Sequence, residues 1–315
     1  MERIIQPKKK SLGKYVRDFF APQHLVLQAM LIPALLALIL FSYLPMSGIV
    51  ISVKEYTLGK GFFDGKWVGL KYFEQVLTDE TFWRAARNTI VISSLHMLIT
   101  FPAPVILALM FNESSLHRIK KISQTCSYLP NFLSMVVVAS FWQLLLGNNG
   151  LVNNALKELG LINQSIAFWT TPEYYYPLEL LVSLWKGTGW SAIIYFSAIT
   201  NVSEEVYEAA VVDGAVRIRR VFSIVLPCIV PTIAVNWIMS ISGLFRGSFD
   251  TSYLLGNAFN RDVSYVLEYY ITETGLSRLR YSYATAIGQI QSVVSLVLLF
   301  AANALSKRFA DTSIF

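Results

Sequence analysis

The amino-acid sequence predicts an all-helical integral membrane protein with six transmembrane helices. Three observations predict it: hydrophobic residues make up 54% of the 315 residues against 15% charged, the mean hydropathy is +0.50, and the apolar residues gather in six long runs. Soluble domains carry about 25% charged residues and about 45–50% apolar ones. The composition therefore indicates a membrane protein before any motif is considered.

Each of the six runs is long enough to cross a bilayer, because a hydrocarbon core about 30 Å thick needs about 20 helical residues. The fourth run is the most polar, since it contains a lysine and two glycines. The predicted spans cover approximately residues 25–53, 89–111, 123–146, 178–199, 226–244 and 284–305.

The charge pattern predicts the orientation and the domain organisation. About 14 of the 26 Lys and Arg residues fall in the termini and the two even-numbered loops, so the positive-inside rule places both termini in the cytoplasm. We expect a basic N-terminal segment over 1–24, one six-helix transmembrane domain over 25–309 with a cytoplasmic loop over 200–227, and a cytoplasmic tail over 310–315. No cleavage site follows the first run, which predicts a retained helix.

Several classes of protein are disfavoured by the same residues. The net charge of +6 comes from short flanks between apolar runs rather than a basic face, so no nucleic acid is expected. The two cysteines, Cys126 and Cys228, are predicted to be buried packing residues. His24, His96 and His117 have no ligand set near them in sequence, so no metal site is expected.

Catalytic motifs are also missing from the sequence. It contains no GxxxxGK[ST] phosphate loop, and its loops lack the paired carboxylates of a glycosidase. The segment GTGWSA lies inside the fourth run, where small residues favour close helix packing over nucleotide binding. We therefore expect no catalytic residue and no cofactor in this chain.

The loop between the fourth and fifth runs carries the most specific signal. Ser203 can cap a short helix that begins with two glutamates and ends near Asp213, and Gly214 can supply the turn. A second short helix is predicted from Ala215 to about residue 225. Pro227 would then begin the fifth span in its first turn, where a missing amide hydrogen does no harm.

This loop resembles the EAA loop of permease subunits in binding-protein-dependent ABC importers. The matching positions are Glu208, Ala209, Ala210, Gly214, Ile224, Leu226 and Pro227. In that family the loop docks into a cleft of the cytosolic ATPase. The resemblance therefore implies a set of ATPase-coupling residues: Ser203, Glu204, Glu208, Ala209, Ala210, Asp213, Gly214, Ile224, Leu226 and Pro227.

Other segments are similar to the LplB-like branch of sugar permeases, related to the maltose-type permeases. They are SYLPMSGIVISVKEYTLG, WVGLKYF, LWKGTGWSAIIYFSAI and TGLSRLRYSYATAIGQIQSV. The resemblance implies a multi-pass protein of the bacterial cytoplasmic membrane that imports an oligosaccharide or polysaccharide fragment. It also implies a second permease, two ATPase subunits that use ATP and Mg²⁺, and an extracytoplasmic solute-binding protein.

Sugar sites combine aromatic faces with hydroxyl and amide groups, and the spans supply a set of candidates for the substrate pathway. These are Trp142, Gln143, Lys186, Trp190, Tyr195, Asn236 and Gln289. For each, helix packing or an interfacial position is the alternative. An ionisable residue in a span is a functional candidate, whereas Lys186 near a span end can also snorkel to the interface.

Three other functions stay open from the residues. The first is the same importer class with a non-sugar cargo. The second is an ion-driven secondary transporter, which the scarcity of ionisable residues in the spans disfavours. The third is a membrane enzyme acting on lipid-linked sugar, for which clustered carboxylates or histidines at one membrane face are missing.

Overall fold

The computed structural model describes residues 22–114 and 116–310, with side chains described from Gln28 to Arg308 except at positions 117, 204, 207 and 211. Most of the predicted N-terminal segment and the tail beyond residue 310 lie outside the described residues. The described chain is a helical bundle with one two-stranded sheet, β1 (Lys54–Glu55) and β2 (Lys66–Trp67).

The described residues form fifteen α-helices in our labelling, which leaves the single turn Leu44–Met46 unlabelled. They are α1 (Pro22–Leu38), α2 (Lys71–Thr78), α3 (Glu80–Leu95), α4 (Pro102–Glu113), α5 (His117–Tyr128), α6 (Met135–Leu145), α7 (Leu151–Glu158), α8 (Tyr175–Thr200), α9 (Glu204–Val212), α10 (Arg217–Arg220), α11 (Leu226–Ser242), α12 (Phe249–Leu255), α13 (Arg261–Ser264), α14 (Leu267–Thr272) and α15 (Tyr281–Ala310). Four π-helical turns lie at Ile39–Tyr43, His96–Thr100, Val221–Val225 and Glu273–Ser277.

Four continuous helices in the described chain are long and apolar enough to cross a membrane. They are Gln28–Val53, Glu80–Glu113, Arg217–Ser242 and Tyr281–Arg308. The predicted third span is a bent pair, and α8, at the fourth, is long enough at 26 residues but more polar because it carries Glu179 and Lys186. All six predicted runs thus fall on helical segments.

The predicted third span over 123–146 is not one continuous helix. The helices Arg118–Phe132 and Met135–Leu145 meet at 105°. Pro130 lies in a 3-10 turn, Leu133 is extended, and the Ser134 hydroxyl accepts a hydrogen bond from the Val137 amide to start α6. The break leaves carbonyls free, and the Lys186 ammonium donates to two of them, Asn131 O at 3.1 Å and Leu133 O at 2.7 Å.

The prediction that Pro227 begins the fifth span is also wrong. The helix starts at Arg217 and runs through the π turn Val221–Val225, so the proline lies well inside it. A proline lacks the amide hydrogen and clashes with the carbonyl four residues earlier. Here the Leu226 amide instead donates to Val221 O, five residues back, and the wider turn accommodates the ring.

A π turn also precedes a proline in two other spans. The Leu44 amide donates to Ile39 O just before Pro45, and the Phe101 amide donates to His96 O just before Pro102. Three of the four π turns are thus followed by an X-Pro pair, which explains how long helices continue past prolines.

The three longer connections, over 54–79, 146–174 and 243–280, meet at one face of the bundle, the long-loop face. The Asn257 amide donates to Trp169 O at 2.7 Å, and the Asp79 carboxylate accepts hydrogen bonds from the hydroxyls of Tyr270 and Tyr283. Burial raises the pKa of Asp79, but these bonds and the one from the Thr81 amide outweigh it, and its pKa is lowered. The connections after α4 and α8 lie at the opposite, short-loop face.

The predicted close packing at GTGWSA is confirmed. A Cβ atom built on Gly189 would lie 1.9 Å from Ser127 O, so α8 touches the backbone of α5 there. The prediction that Cys126 and Cys228 are buried is wrong, because both are exposed on the isolated chain. Each lies on the outer surface of a helix rather than in the core.

Candidate functional site

The helix–turn–helix at the short-loop face, residues 203–225, forms as predicted in its first half. Helix α9 ends at Val212, and Gly214 adopts a left-handed φ of +75°. The Ala215 amide donates to Ala210 O at 2.9 Å, which closes the helix end in the way typical of a glycine cap. The predicted second short helix is not separate, because Arg217 already begins the long helix to Ser242.

The side chains of this segment face outward on the isolated chain. Glu208, Ala209 and Asp213 are exposed, as is Ser203, and Ala210 is partly buried. Three large apolar side chains are also exposed, Val212 at 87%, Ile218 at 71% and Phe222 at 64%. The side chain of Glu204 lies outside the described residues. An exposed apolar and acidic surface of this kind is typical of a docking site for another chain.

The remaining matched positions lie on the long helix that enters the bundle. Leu226 packs against a core cluster built on Tyr195, Ile199 and Val225, while Ile224 is partly buried and Pro227 is exposed. The predicted coupling set is therefore divided. The described side chains of residues 203–214 are largely exposed, and Val225 and Leu226 anchor the long helix to α8 and α4.

A cavity of about 450 Å³ lies between α3, α4, α8 and α11. Two residues of the predicted substrate pathway, Tyr195 and Asn236, line it. Hydroxyl groups of Ser93, Thr100, Ser191, Ser240 and Ser248 also belong to its lining residues. The cavity combines apolar walls with several hydrogen-bonding groups, which is the usual composition of a small-molecule site.

The other five predicted pathway residues lie elsewhere and hold the fold together. Gln143 donates to Leu254 O at 2.9 Å, and Gln289 donates to Ile49 O at 2.8 Å. Trp142 packs edge-on against Trp185, with ring centroids 5.8 Å apart.

Lys186 binds the broken third span, as described above. The ring of Trp190 lies 5.4 Å from that of Phe132 at the same break. Substrate contact by these residues stays a prediction.

The sequence did not predict that two residues of the cavity, His96 and Glu179, form a pair. His96 Nε2 and Glu179 Oε2 share a hydrogen bond of 2.7 Å, and the Glu179 side chain is only 1% exposed. The sequence does mark each of the two residues separately, because an ionisable residue in an apolar span is a functional candidate. Their pairing could not be read, since 83 positions separate them. No group of three potential metal ligands occurs within the described residues.

Known proteins are similar to this chain along most of its length. A family model described as "Binding-protein-dependent transport system inner membrane component" matches residues 84–311. Protein LplB of Bacillus subtilis (strain 168) is 38% identical over 290 residues, covering 92% of this chain and 91% of that protein. The polygalacturonan/rhamnogalacturonan transport system permease protein YteP of the same organism is 39% identical over 311 residues, covering 98% and 94%.

A solved structure matches as well. The chain is similar to a chain of a bacterial ABC transporter involved in the import of the acidic polysaccharide alginate, with a TM-score of 0.85, 35% identity and coverage of 94% of this chain and 99% of that chain. The alginate transporter in complex with an alginate pentasaccharide-bound periplasmic protein gives a TM-score of 0.86 at 35% identity, with coverage of 97% and 100%. With the helical bundle and the loop between α8 and α11, these matches establish that the chain belongs to the family of inner membrane components of binding-protein-dependent transport systems, the ABC importer permeases.

Proposed function

We propose that this permease moves oligosaccharides or polysaccharide fragments that an extracytoplasmic solute-binding protein delivers. The observation that carries the cargo is the similarity over nearly the whole chain to a polygalacturonan/rhamnogalacturonan permease and to an alginate importer. The chain itself breaks no bond. ATP and Mg²⁺ belong to two partner ATPase subunits, and a second, homologous permease completes the pathway.

The exposed helix–turn–helix is the docking surface for an ATPase subunit in this proposal. Val212, Ile218 and Phe222 supply apolar contact, and the small side chain of Ala209 allows close approach. Glu208 offers a carboxylate to a basic residue of the partner. The short-loop face is then cytoplasmic, as are both termini, and the long-loop face receives the binding protein.

The route from this surface to the pathway is one helix. Arg217–Ser242 begins at the docking segment, and its far part contributes Asn236, Met239 and Ser240 to the cavity lining. A displacement of α9 by the ATPase would pass along this helix, because Val225 and Leu226 fix its first turns against α8. In this proposal the displacement moves the wall of the cavity.

The test is to tag the chain in its native membranes, purify it in mild detergent and identify co-purifying chains by mass spectrometry. Wild type is compared with Glu208→Lys and with Glu158→Lys, a matched charge reversal on exposed α7 at the opposite face. We expect wild type and Glu158→Lys to recover an ATPase and a second permease, and Glu208→Lys to lose most of the ATPase. Equal recovery in all three would contradict the docking surface.

The cargo is tested separately by analysing the small molecules bound to the co-purified solute-binding protein. An oligosaccharide would support the proposal. An amino acid, peptide or metal ion would leave the importer assignment intact and replace the cargo. Uptake that persists without any ATPase would favour the ion-driven alternative.

A further inference from the structure

The outer side of α5, at the start of the broken third span, carries an apolar stripe. Its members follow one another at steps of three and four residues, so they share one side of the helix and of the turn after it: Ile119, Ile122, Cys126 and Leu129. The three aliphatic side chains are each more than half exposed, and Cys126 is exposed as well. An exposed apolar surface of this kind contacts either a membrane or another protein.

The side of α5 that faces the bundle is polar. Ser123, Gln124 and Ser127 are partly buried there. The Lys120 ammonium lies 4.7 Å from the centre of the Phe196 ring, so this lysine is turned towards α8. A helix in water has the opposite arrangement, with its apolar side on the core. The outer side of α5 therefore meets lipid or another chain rather than water.

Two cations lie beside the stripe. Arg118 precedes Ile122 by one helical turn, Lys121 follows at the next turn, and both side chains are exposed. Neither forms an ion pair within the described part of the chain. Cations at the start of a helix oppose its dipole, and the first turn of α5 has no acidic residue to offset them. These two residues thus do not stabilise the helix, and their charge is available to an anion outside the chain.

The cations and the stripe are arranged in the order of the parts of a phospholipid. Helix α5 starts after the connection at the short-loop face, where Arg118 and Lys121 lie. From there it runs inward, because Ser127 lies against Gly189 in the middle of α8. Cys126 is about 12 Å from Arg118 along the helix axis. A phosphate at the membrane boundary and an acyl chain in the hydrocarbon core match this sequence of charged and apolar groups.

We propose that this surface of α5 binds an anionic phospholipid. The lipid phosphate pairs with the Arg118 guanidinium and the Lys121 ammonium, and an acyl chain lies along the stripe. Arginine suits a phosphate because its planar group donates two parallel hydrogen bonds. Basic residues where a helix enters the membrane attract anionic headgroups in general. The site is separate from cargo transport and goes beyond the proposed function.

An acidic surface of an ATPase subunit is the alternative partner for the two cations. The stripe favours lipid, because it continues inward from the cations to Leu129, beside the broken span. A soluble subunit reaches the short-loop face but does not enter the hydrocarbon core, where exposed polar backbone is not tolerated.

The experiment uses the exposed Cys126 of the stripe as the position of a reporter. The complex with its partner permease and ATPase carries Cys228→Ser in this chain, and Cys126 is labelled with bimane. A complex with Cys126→Ser and Cys228→Ser gives the background from the partner chains. Both are reconstituted into vesicles of equal amounts of phosphatidylcholine and phosphatidylglycerol. A spin label on the acyl chain of one lipid or the other then quenches the bimane.

We expect spin-labelled phosphatidylglycerol to quench with an apparent affinity about tenfold higher than that of spin-labelled phosphatidylcholine, since each cation favours an anionic headgroup several-fold. Arg118→Gln with Lys121→Gln should bring the ratio of the two affinities to about one. The matched control, Lys307→Gln with Arg308→Gln, removes the same charge from exposed positions at the end of α15 and should leave the ratio unchanged. Added salt should lower the wild-type ratio, because it screens exposed charges.

Equal quenching by the two lipids in wild type would overturn recognition of the headgroup. Absence of quenching by either lipid would show that another chain covers the stripe, and would overturn the lipid site. An unchanged lipid ratio in Arg118→Gln with Lys121→Gln, together with loss of the ATPase, would assign the two cations to ATPase docking. The co-purification test with Glu208→Lys does not depend on any of these results, so failure of the lipid site leaves the proposed function intact.

Discussion

The helix–turn–helix at the short-loop face and the cavity in the bundle are stabilised in different ways. The first is held by hydrogen bonds between near neighbours, such as the Ala215 amide to Ala210 O, and its side chains are largely exposed. The second is held by contacts between distant positions, such as His96 to Glu179, and the Glu179 carboxylate in its wall is buried. One long helix, Arg217–Ser242, joins the two regions.

The difference shows how the chain divides its tasks. A segment stabilised locally keeps its shape without covering its surface, so it can present apolar and acidic groups to another chain. A carboxylate buried in a bilayer needs hydrogen-bond partners, and the distant His96 supplies one of the two for Glu179. The connecting helix belongs to both regions, so the proposed coupling between them runs through it.

The largest expected effect is in the bundle, at its closest helix contact. Gly189→Ala would place a methyl group within 1.9 Å of Ser127 O, which is backbone and cannot move aside without separating α5 from α8. Overpacking of a core costs about 1–3 kcal/mol, and a backbone clash lies at the upper end. We expect a strong fall in melting temperature and in the yield of folded protein.

Gly187→Ala is the matched control, because a Cβ at Gly187 meets no atom within 4 Å. It should leave the melting temperature unchanged or raise it, since alanine favours helix over glycine. Equal behaviour of the two variants would show that the bundle does not depend on this contact.

The next effect is in the exposed segment. Gly214→Val forces a β-branched residue to a φ of +75°, at a cost of about 1–2 kcal/mol. We expect about tenfold less ATPase to co-purify. The control Gly214→Asn tolerates this backbone, and a Cβ atom there meets no atom within 4 Å, so it should keep most of the ATPase. Equal recovery of the ATPase by Gly214→Val and Gly214→Asn would contradict the role of this turn.

A third effect, on stability, is expected at the broken span. Lys186→Met removes the donor to Asn131 O and Leu133 O and leaves two carbonyls unpaired, which costs about 1–3 kcal/mol. Thermal unfolding of the purified chain in detergent measures this loss of stability. Lys157→Met, on exposed α7, is the matched control and should have no effect. A stability equal to wild type in Lys186→Met would instead favour a role of this lysine in binding cargo.

The smallest effect concerns pH at the long-loop face. The folded pKa of Asp79 lies below its ordinary value of 3.8, so its contribution to stability is present above that value and is lost as the pH falls through the folded pKa. Asp79→Asn should therefore be less stable than wild type at pH 7, and the difference should shrink towards pH 3. Melting temperatures across this range measure it, and a difference that grows on acidification would contradict the assignment.

Much of the fold could be predicted because hydrophobic runs and capping residues act locally. The six runs fall on helices, and α9 with its glycine turn lies where predicted. The predicted helix start at Pro227 is wrong because a π turn lets the helix continue past the proline. The predicted third span is interrupted because Leu133, inside the apolar run, is extended. A π turn and an extended residue change hydrogen-bond register without changing hydropathy, so composition does not reveal them.

Of the candidate site, too, the sequence predicted one part and not the other. The residues of the exposed segment were predicted by position, whereas only Tyr195 and Asn236 of seven predicted pathway residues line the cavity. Side chains such as Gln143 and Gln289 have the chemistry of sugar contacts but bond to backbone carbonyls of other helices instead. Chemistry alone does not show which direction a helix face points.

The sequence by itself determined the membrane class, the helical runs and the exposed helix–turn–helix, because hydrophobic length, capping and glycine turns depend on neighbouring residues. Only the tertiary structure decided the rest. It brought Glu179 to His96 and Lys186 to the broken span, and it formed the cavity between α3, α4, α8 and α11. Those contacts join residues 55 and 83 positions apart, and the packing of whole helices, rather than any local preference, sets their distance.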